Sequence, residues 1–128
     1  MKTILVIDDE QPIRELLRQA LEELDYRVIE AAHGDDALTL VDEEPVDLVI
    51  TDVIMPRKEG LQTIRELKAK FPALKVIAMS GGSIHIPTNL ALDAAQTFGA
   101  ELVLQKPVDI DEFVLSVGRA LNGSSERF

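Results

Sequence analysis

The stretch ILVIDDE, residues 4–10, decides how the chain is read: four aliphatic residues run without interruption into three carboxylates, Asp8, Asp9 and Glu10. A short, continuous aliphatic run bounded by polar residues reads as a strand covered on both faces. The acids therefore stand where that strand leaves the core. Three like charges at the mouth of the interior call for a physical reason.

Working outward, the same kind of run recurs. TILVI (3–7), YRVIE (26–30), DLVIT (47–51), LKVIAM (74–79) and ELVLQ (101–105) read as five strands. The first, third and fourth are nearly all aliphatic, as central parallel strands are, whereas the second and fifth carry charged or amide residues and read as edges. Amphipathic helices fill the intervals. Ile13, Leu16, Leu17, Ala20, Leu21 and Leu24 make one apolar stripe behind Pro12, which suits a first helical turn. A second helix carries Ala37, Leu38 and Val41, and Pro45 stops it. A third carries Leu61, Ile64, Leu67 and Phe71, and a fourth Ala91, Ala94, Ala95 and Phe98, ended by Gly99 as a left-handed cap. The fifth carries Ile110, Phe113, Val114, Val117 and Leu121, with Asp109 as its N-cap. Alternation of strands and helices predicts an α/β fold, a doubly wound five-stranded parallel sheet with five helices. Periodicity is lost in NGSSERF, so we read 1–121 as the domain and 122–128 as a tail or the start of a linker.

Composition narrows the chemistry. A chain of 128 residues, 46% hydrophobic, is long enough for one packed core. It has no cysteine, which excludes disulfides, thiolate zinc sites and a cysteine nucleophile. No apolar run approaches the roughly 18 residues that span a membrane, and the N-terminus lacks the pattern of a signal peptide; the expectation is a cytoplasmic protein without a membrane partner. A net charge of −10 with scattered basic residues is a poor match to nucleic acid.

In open α/β sheets ligands bind beyond the carboxyl ends of the strands, so the residues that end each strand matter most. Strand one ends in Asp8-Asp9, strand three in Asp52, strand four in Ser80 and strand five in Lys106-Pro107. Each alone is ordinary: an acidic turn, a cap, a serine before two glycines, a loop lysine. Together they put three carboxylates, a hydroxyl and an ammonium on one sheet edge. Carboxylates about 5 Å apart repel by roughly 3 kcal/mol per pair at an effective dielectric of 20. Either one acid is protonated or a cation sits among them; one lysine is too little for three acids, so a divalent metal is the simpler account. Oxygen ligands in this number suit Mg²⁺. A metal, a lysine and a hydroxyl around one remaining carboxylate are equipment for phosphoryl transfer, with Asp52 as nucleophile, Lys106 neutralising charge and Ser80 bonding a phosphoryl oxygen.

These residues also carry a resemblance. LVIDDE followed by Ile13-Arg14, DLVITDVIMPRKEGL, KVIAMSG and FGAELVLQKPVD occur in the order found in receiver domains of two-component response regulators, and the match covers residues 2–121. The resemblance implies a flavodoxin-like sheet of order 2-1-3-4-5. It implies Asp52 as phospho-acceptor, with the donor a phosphohistidine on a sensor histidine kinase or a histidine phosphotransfer protein. It further implies Mg²⁺ bound by Asp9, Asp52 and the backbone carbonyl of Ile54, with Asp8 acting through a water, and Ser80 and Lys106 contacting the phosphoryl group. A cis bond before Pro107, an unknown downstream protein target and a homodimer through the face of helix four, strand five and helix five belong to the same expectation.

Three features depart from the family pattern. Val103 stands where an aromatic is common, Val108 follows Pro107 where another is frequent, and the segment 80–99 is lengthened around GSIHIPTNL. Coupling to output must then run through Ser80 and the long loop. Ile54 and Gly82, at positions that flank the path of attacking water in the family, cannot orient a water, which predicts slow self-dephosphorylation. His33 and His85 are not spaced as a ligand pair.

The leading expectation is a phosphorylatable signalling module, stand-alone or a piece of a longer regulator or hybrid kinase, that catalyses only its own phosphoryl transfer. The alternative is a degenerate receiver acting as a phosphorylation-independent interaction or dimerisation module. A dehalogenase-type phosphatase is disfavoured because Glu10, not Asp, stands two residues after Asp8. A nucleotide-binding domain is disfavoured because no G-x-G-x-x-G follows strand one.

Overall fold

The computed structural model describes residues 1–53, 60–80, 96 and 99–122. Strands β1 (Thr3–Ile7), β2 (Arg27–Ala31), β3 (Leu48–Asp52), β4 (Lys75–Ser80) and β5 (Leu102–Gln105) form one parallel sheet in the order β2-β1-β3-β4-β5. The edges are the two strands whose sequences carry polar residues. The described helices are α1 (Gln11–Glu22), α2 (Asp35–Glu43), α3 (Gly60–Lys70) and α4 (Ile110–Asn122). The fourth helix expected from the sequence, the lengthened loop and the tail after Asn122 lie outside the described residues, Gln96 excepted, so α4 is the fifth expected helix.

Alternation along the strands divides the interior in two. Leu5, Ile7, Val49, Val76 and Ala78 pack with Ala37 and Val41 of α2 and Ile64 and Leu67 of α3. Their neighbours Ile4, Val6, Leu48, Ile50, Ile77 and Met79 pack with Leu17 and Leu21 of α1 and Phe113 and Val117 of α4. Both faces are covered, which is why β1 and β3 are buried along their whole length. The doubly wound α/β expectation holds.

Boundaries differ from the sequence reading by a residue. Strand two begins at Arg27, because Tyr26 N–H is taken by the carbonyl of Leu21 (3.2 Å) as α1 ends. That end is built on Asp25 in the left-handed region (φ 67°), with its own N–H donated to Glu22 O, a Schellman-type arrangement without glycine. The α1 stripe is also wider than the core requires: Leu17 and Leu21 are buried, whereas Leu16 and Leu24 stand out in solvent. Asp109 caps α4 as expected, its Oδ2 accepting the N–H of Glu112 (3.0 Å). Gly99 has positive φ (119°), as the sequence requires of it. No described helix is long and apolar enough to cross a membrane.

Candidate functional site

The sheet builds the site by simple continuation. Val6, Ile50 and Leu104 belong to the core on the α1/α4 side, and two residues beyond each stand Asp8, Asp52 and Lys106. The β1–β3 register pairs Ile7 with Thr51, so the next step sets Asp8 beside Asp52. Asp8 keeps its place in the ladder by donating its N–H to Ala31 O (3.1 Å). Its side chain is fully buried, and Asp52 is nearly so, while Asp9 and Glu10 emerge as the chain turns into α1. Carboxylate oxygens of Asp8, Asp9 and Asp52 lie within 4.8 Å of one another.

Lys106 is the cation that faces them. Its Nζ donates to Asp52 Oδ2 (2.7 Å) and to Asp8 Oδ2 (2.9 Å), with Glu10 Oε1 at 3.6 Å. Its backbone N–H donates to Ser80 O (3.0 Å), and the Lys106–Pro107 bond is cis, as expected. The second oxygen of Asp8 accepts the Glu10 N–H (2.9 Å). Burial works against the lysine's charge, but the hydrogen bonds and charges of Asp52 and Asp8 outweigh it and hold its pKa above the ordinary lysine value. The ammonium is therefore permanent at neutral pH. Among the described residues, this one ammonium faces the three carboxylates of Asp8, Asp9 and Asp52, a cluster of oxygen donors alone. That donor set fits a hard divalent cation.

Ser80 ends β4 and is buried, one strand across from Asp52 and bonded through its carbonyl to Lys106. Val103 is partly buried against the α2/α3 core. Ile54, Gly82 and His85 lie outside the described residues, and with them the carbonyl ligand and the water-path expectation.

Two residues matter that sequence reasoning did not place. Gly60 opens α3 with its N–H on Val53 O (2.7 Å), and a Cβ there would lie 1.8 Å from the carbonyl oxygen of Asp52. The same carbonyl accepts the Thr51 hydroxyl (3.0 Å). Arg14 donates through Nη1 to Asp8 O (2.6 Å) and through Nε to Glu30 Oε1 (3.2 Å), and Arg18 pairs with the same Glu30. The only sequence signals were the glycine closing DVIMPRKEG and the arginine soon after LVIDDE.

A family model for the response regulator receiver domain matches residues 4–117. The chain belongs to that family. The receiver is 40% identical over 123 residues to the DNA-binding transcriptional regulator NtrC of Azospirillum brasilense, covering 96% of this chain and 25% of that protein. It is 37% identical over 125 residues to the response regulator GtcR of Aneurinibacillus migulanus, covering 98% and 50%. It thus spans a quarter of the first relative and half of the second. Among solved structures, the CheY-like receiver domain protein of Methanospirillum hungatei JF-1 superposes with a TM-score of 0.86 at 25% identity, over 95% of this chain and 94% of that one. The beryllofluoride-activated NtrC4 receiver domain dimer gives 0.84 at 31%, over 95% and 98%. A Burkholderia pseudomallei response regulator with a phosphorylated aspartic acid, calcium ion and citrate gives 0.78 at 28%, over 94% and 66%. Receivers of this family are phosphorylated by histidine kinases in two-component systems and serve as signalling modules rather than as enzymes with turnover. The acidic cluster fits a receiver's metal site.

Proposed function

We propose that Asp52 is the phospho-acceptor and that its donor is a phosphohistidine on a sensor kinase or histidine phosphotransfer protein. The observation that carries this reading is the 2.7 Å approach of Lys106 Nζ to Asp52 Oδ2 inside a cluster of acids at the carboxyl edge of the sheet. An oxygen of Asp52 attacks phosphorus as the P–N bond to the donor imidazole breaks, and the imidazole leaves with the electron pair. Lys106, already charged and anchored on Asp52 and Asp8, bonds a phosphoryl oxygen. The buried Ser80 hydroxyl donates to another. Mg²⁺ would be held by Asp9, Asp52 and the Ile54 carbonyl, with Asp8 acting through a water; when bound it neutralises charge on the phosphoryl oxygens. The Burkholderia relative, whose structure contains both a phosphorylated aspartic acid and a calcium ion, supports a divalent ion in such a receiver.

With Val103 in place of an aromatic, the change on phosphorylation passes from Ser80 into the segment that follows it and alters binding of a downstream protein. Residues 1–121 belong to the receiver, and its last helix runs one residue further, through Asn122. A cytoplasmic location belongs to the same reading. The test is intact-mass spectrometry after incubation with acetyl phosphate, with and without Mg²⁺, on wild type and Asp52→Asn. One Mg²⁺-dependent phosphoryl adduct, absent from the variant, is expected. A folded wild type that takes no adduct from acetyl phosphate or from a phosphohistidine donor would instead be a phosphorylation-independent binding module.

A further inference from the structure

Strand β5 delivers Lys106 to the site, yet its own sequence does not secure where it stops. It is four residues long and ends the sheet, with β4 as its neighbour. Leu102 and Leu104 face the α1/α4 core and Val103 the α2/α3 core. That alternation fixes which face each residue takes. A slip of two residues would preserve the faces and carry Lys106 about 7 Å along the strand, which the contacts of 2.7 Å to Asp52 and 2.9 Å to Asp8 would not survive. The register therefore needs a polar device, and one stands at the leading end of the strand. β4 starts at Lys75, ahead of the first β4–β5 pair, Ile77 with Leu102. There Val76 and Glu101 close a ring: the Glu101 N–H donates to Val76 O (2.8 Å) and the Val76 N–H donates to Glu101 Oε1 (2.8 Å). The other oxygen, Glu101 Oε2, accepts from Lys68 Nζ (2.9 Å), which also donates to Leu74 O (2.8 Å). A side-chain acceptor and a side-chain donor thus meet main-chain groups that a longer β5 would have met. The lysine stem runs past Gly99, where a Cβ would lie 3.0 Å from Lys68 Cγ, so a side chain at 99 would contest the space that the clamp uses.

We propose that Lys68 and Glu101 are positioning residues for Lys106: they lock β5 against β4 at one end so that the ammonium arrives at Asp52 and Asp8 at the other, about 16 Å further along the strand. The consequence for phosphoryl transfer rests on the reading of Asp52 as acceptor; the lock itself does not. A plain ion pair at this partly exposed place would contribute little and would have no use for Val76 or Leu74. The lock works instead through the carbonyl-like oxygen that Glu101 turns to the Val76 N–H, and an amide side chain supplies the same oxygen. Glu101→Gln therefore separates the two roles, since it removes the charge and keeps the acceptor, whereas Glu101→Ala removes both.

Amide hydrogen exchange on the full chain reads the lock directly. Glu101→Ala should speed exchange of the β5 and Lys106 amides about tenfold relative to those of β1, Lys68→Met should speed it as well, and Glu101→Gln should restore most of the protection. Thermal melts read the link to Lys106. Sites this far apart ordinarily contribute additively, but the melting-temperature loss caused by Lys106→Met should shrink in a Glu101→Ala background, because the ammonium is then no longer held on its acids. Adduct formation from acetyl phosphate at saturating Mg²⁺ should fall severalfold in Glu101→Ala and recover in Glu101→Gln. Melting-temperature losses that simply add would overturn the proposal, as would β5 amides that keep wild-type protection in Glu101→Ala, or a Glu101→Gln variant no better than Glu101→Ala. A wild type that takes no adduct would count against Asp52 as acceptor alone, and the exchange and the thermal cycle would still decide the lock.

Discussion

Lys106 Nζ and Asp52 Oδ2 meet at 2.7 Å across 54 residues of sequence. The contact joins the ends of β3 and β5 over the intervening β4, and the same ammonium reaches the fully buried Asp8. It holds both carboxylates at once, which fixes what its removal does.

Lys106→Met removes the ammonium that joins Asp8 to Asp52. Breaking a largely buried pair on one side costs about 3 kcal/mol at neutral pH, or roughly 10 °C in a domain of this size. Thermal melts in EDTA will show it, and an unchanged melting temperature would mean the contact is neutral to stability. Because the folded pKa of Lys106 is raised, its contribution is complete below the unfolded lysine value of about 10.4 and is lost only as pH climbs through the folded value. The gap between wild type and variant should therefore be flat from pH 7 to about 10 and narrow above it.

The unbalanced acids also predict a response to metal. An ion bound by the folded state alone stabilises it by about 2.7 kcal/mol at a hundred times its dissociation constant, which is roughly 8 °C here. Melting temperature should rise with MgCl₂ and saturate. Asp9→Asn, at an exposed position that the fold does not need, should abolish most of the rise while leaving the metal-free melt unchanged or slightly higher. A wild type indifferent to Mg²⁺ would count against metal binding at this cluster.

Gly60 predicts a coupled loss. A Cβ 1.8 Å from Asp52 O must push apart the start of α3 and the end of β3, and both are backbone, so nothing flexible can yield. Gly60→Ala should cost about 2–3 kcal/mol and cut the phosphoryl adduct from acetyl phosphate severalfold, because the displaced residue is the proposed acceptor. A variant of wild-type stability would show that the two segments separate freely.

How much of this was legible depends on the kind of signal. Runs such as ILVI and LVIT are ended by acids, and period-two alternation carries Val6 to Asp8 and Ile50 to Asp52, so the strands and the carboxylate edge could be read from order alone. Lys106 could be read as well, because it ends the fifth strand. Local backbone chemistry was less visible: α1 ends on Asp25 with positive φ where a glycine would have announced the turn. The apolar stripe of α1 said that Leu16 and Leu24 share a side with Leu17 and Leu21, but not where the core's edge falls. Gly60 and Arg14 escaped because each meets a main-chain carbonyl, of Asp52 and of Asp8, which leaves no mark in side-chain patterns.

Arg14 gives the last prediction. Its guanidinium ties the backbone of Asp8 to Glu30 of the neighbouring strand through two nitrogens of one rigid fork. Hydrogen bonds to a charged group contribute about 1.5–3 kcal/mol, and Arg14→Ala should lose most of that. The more telling substitution is Arg14→Lys. An ammonium keeps the charge but not the fork, so it can satisfy Glu30 or the Asp8 carbonyl and not both. If Arg14 acts by orienting Asp8, the lysine variant should recover part of the melting temperature yet still bind Mg²⁺ more weakly than wild type. If it acts as a charge alone, lysine should restore both. Paired thermal melts and Mg²⁺ titrations on the two variants separate these outcomes.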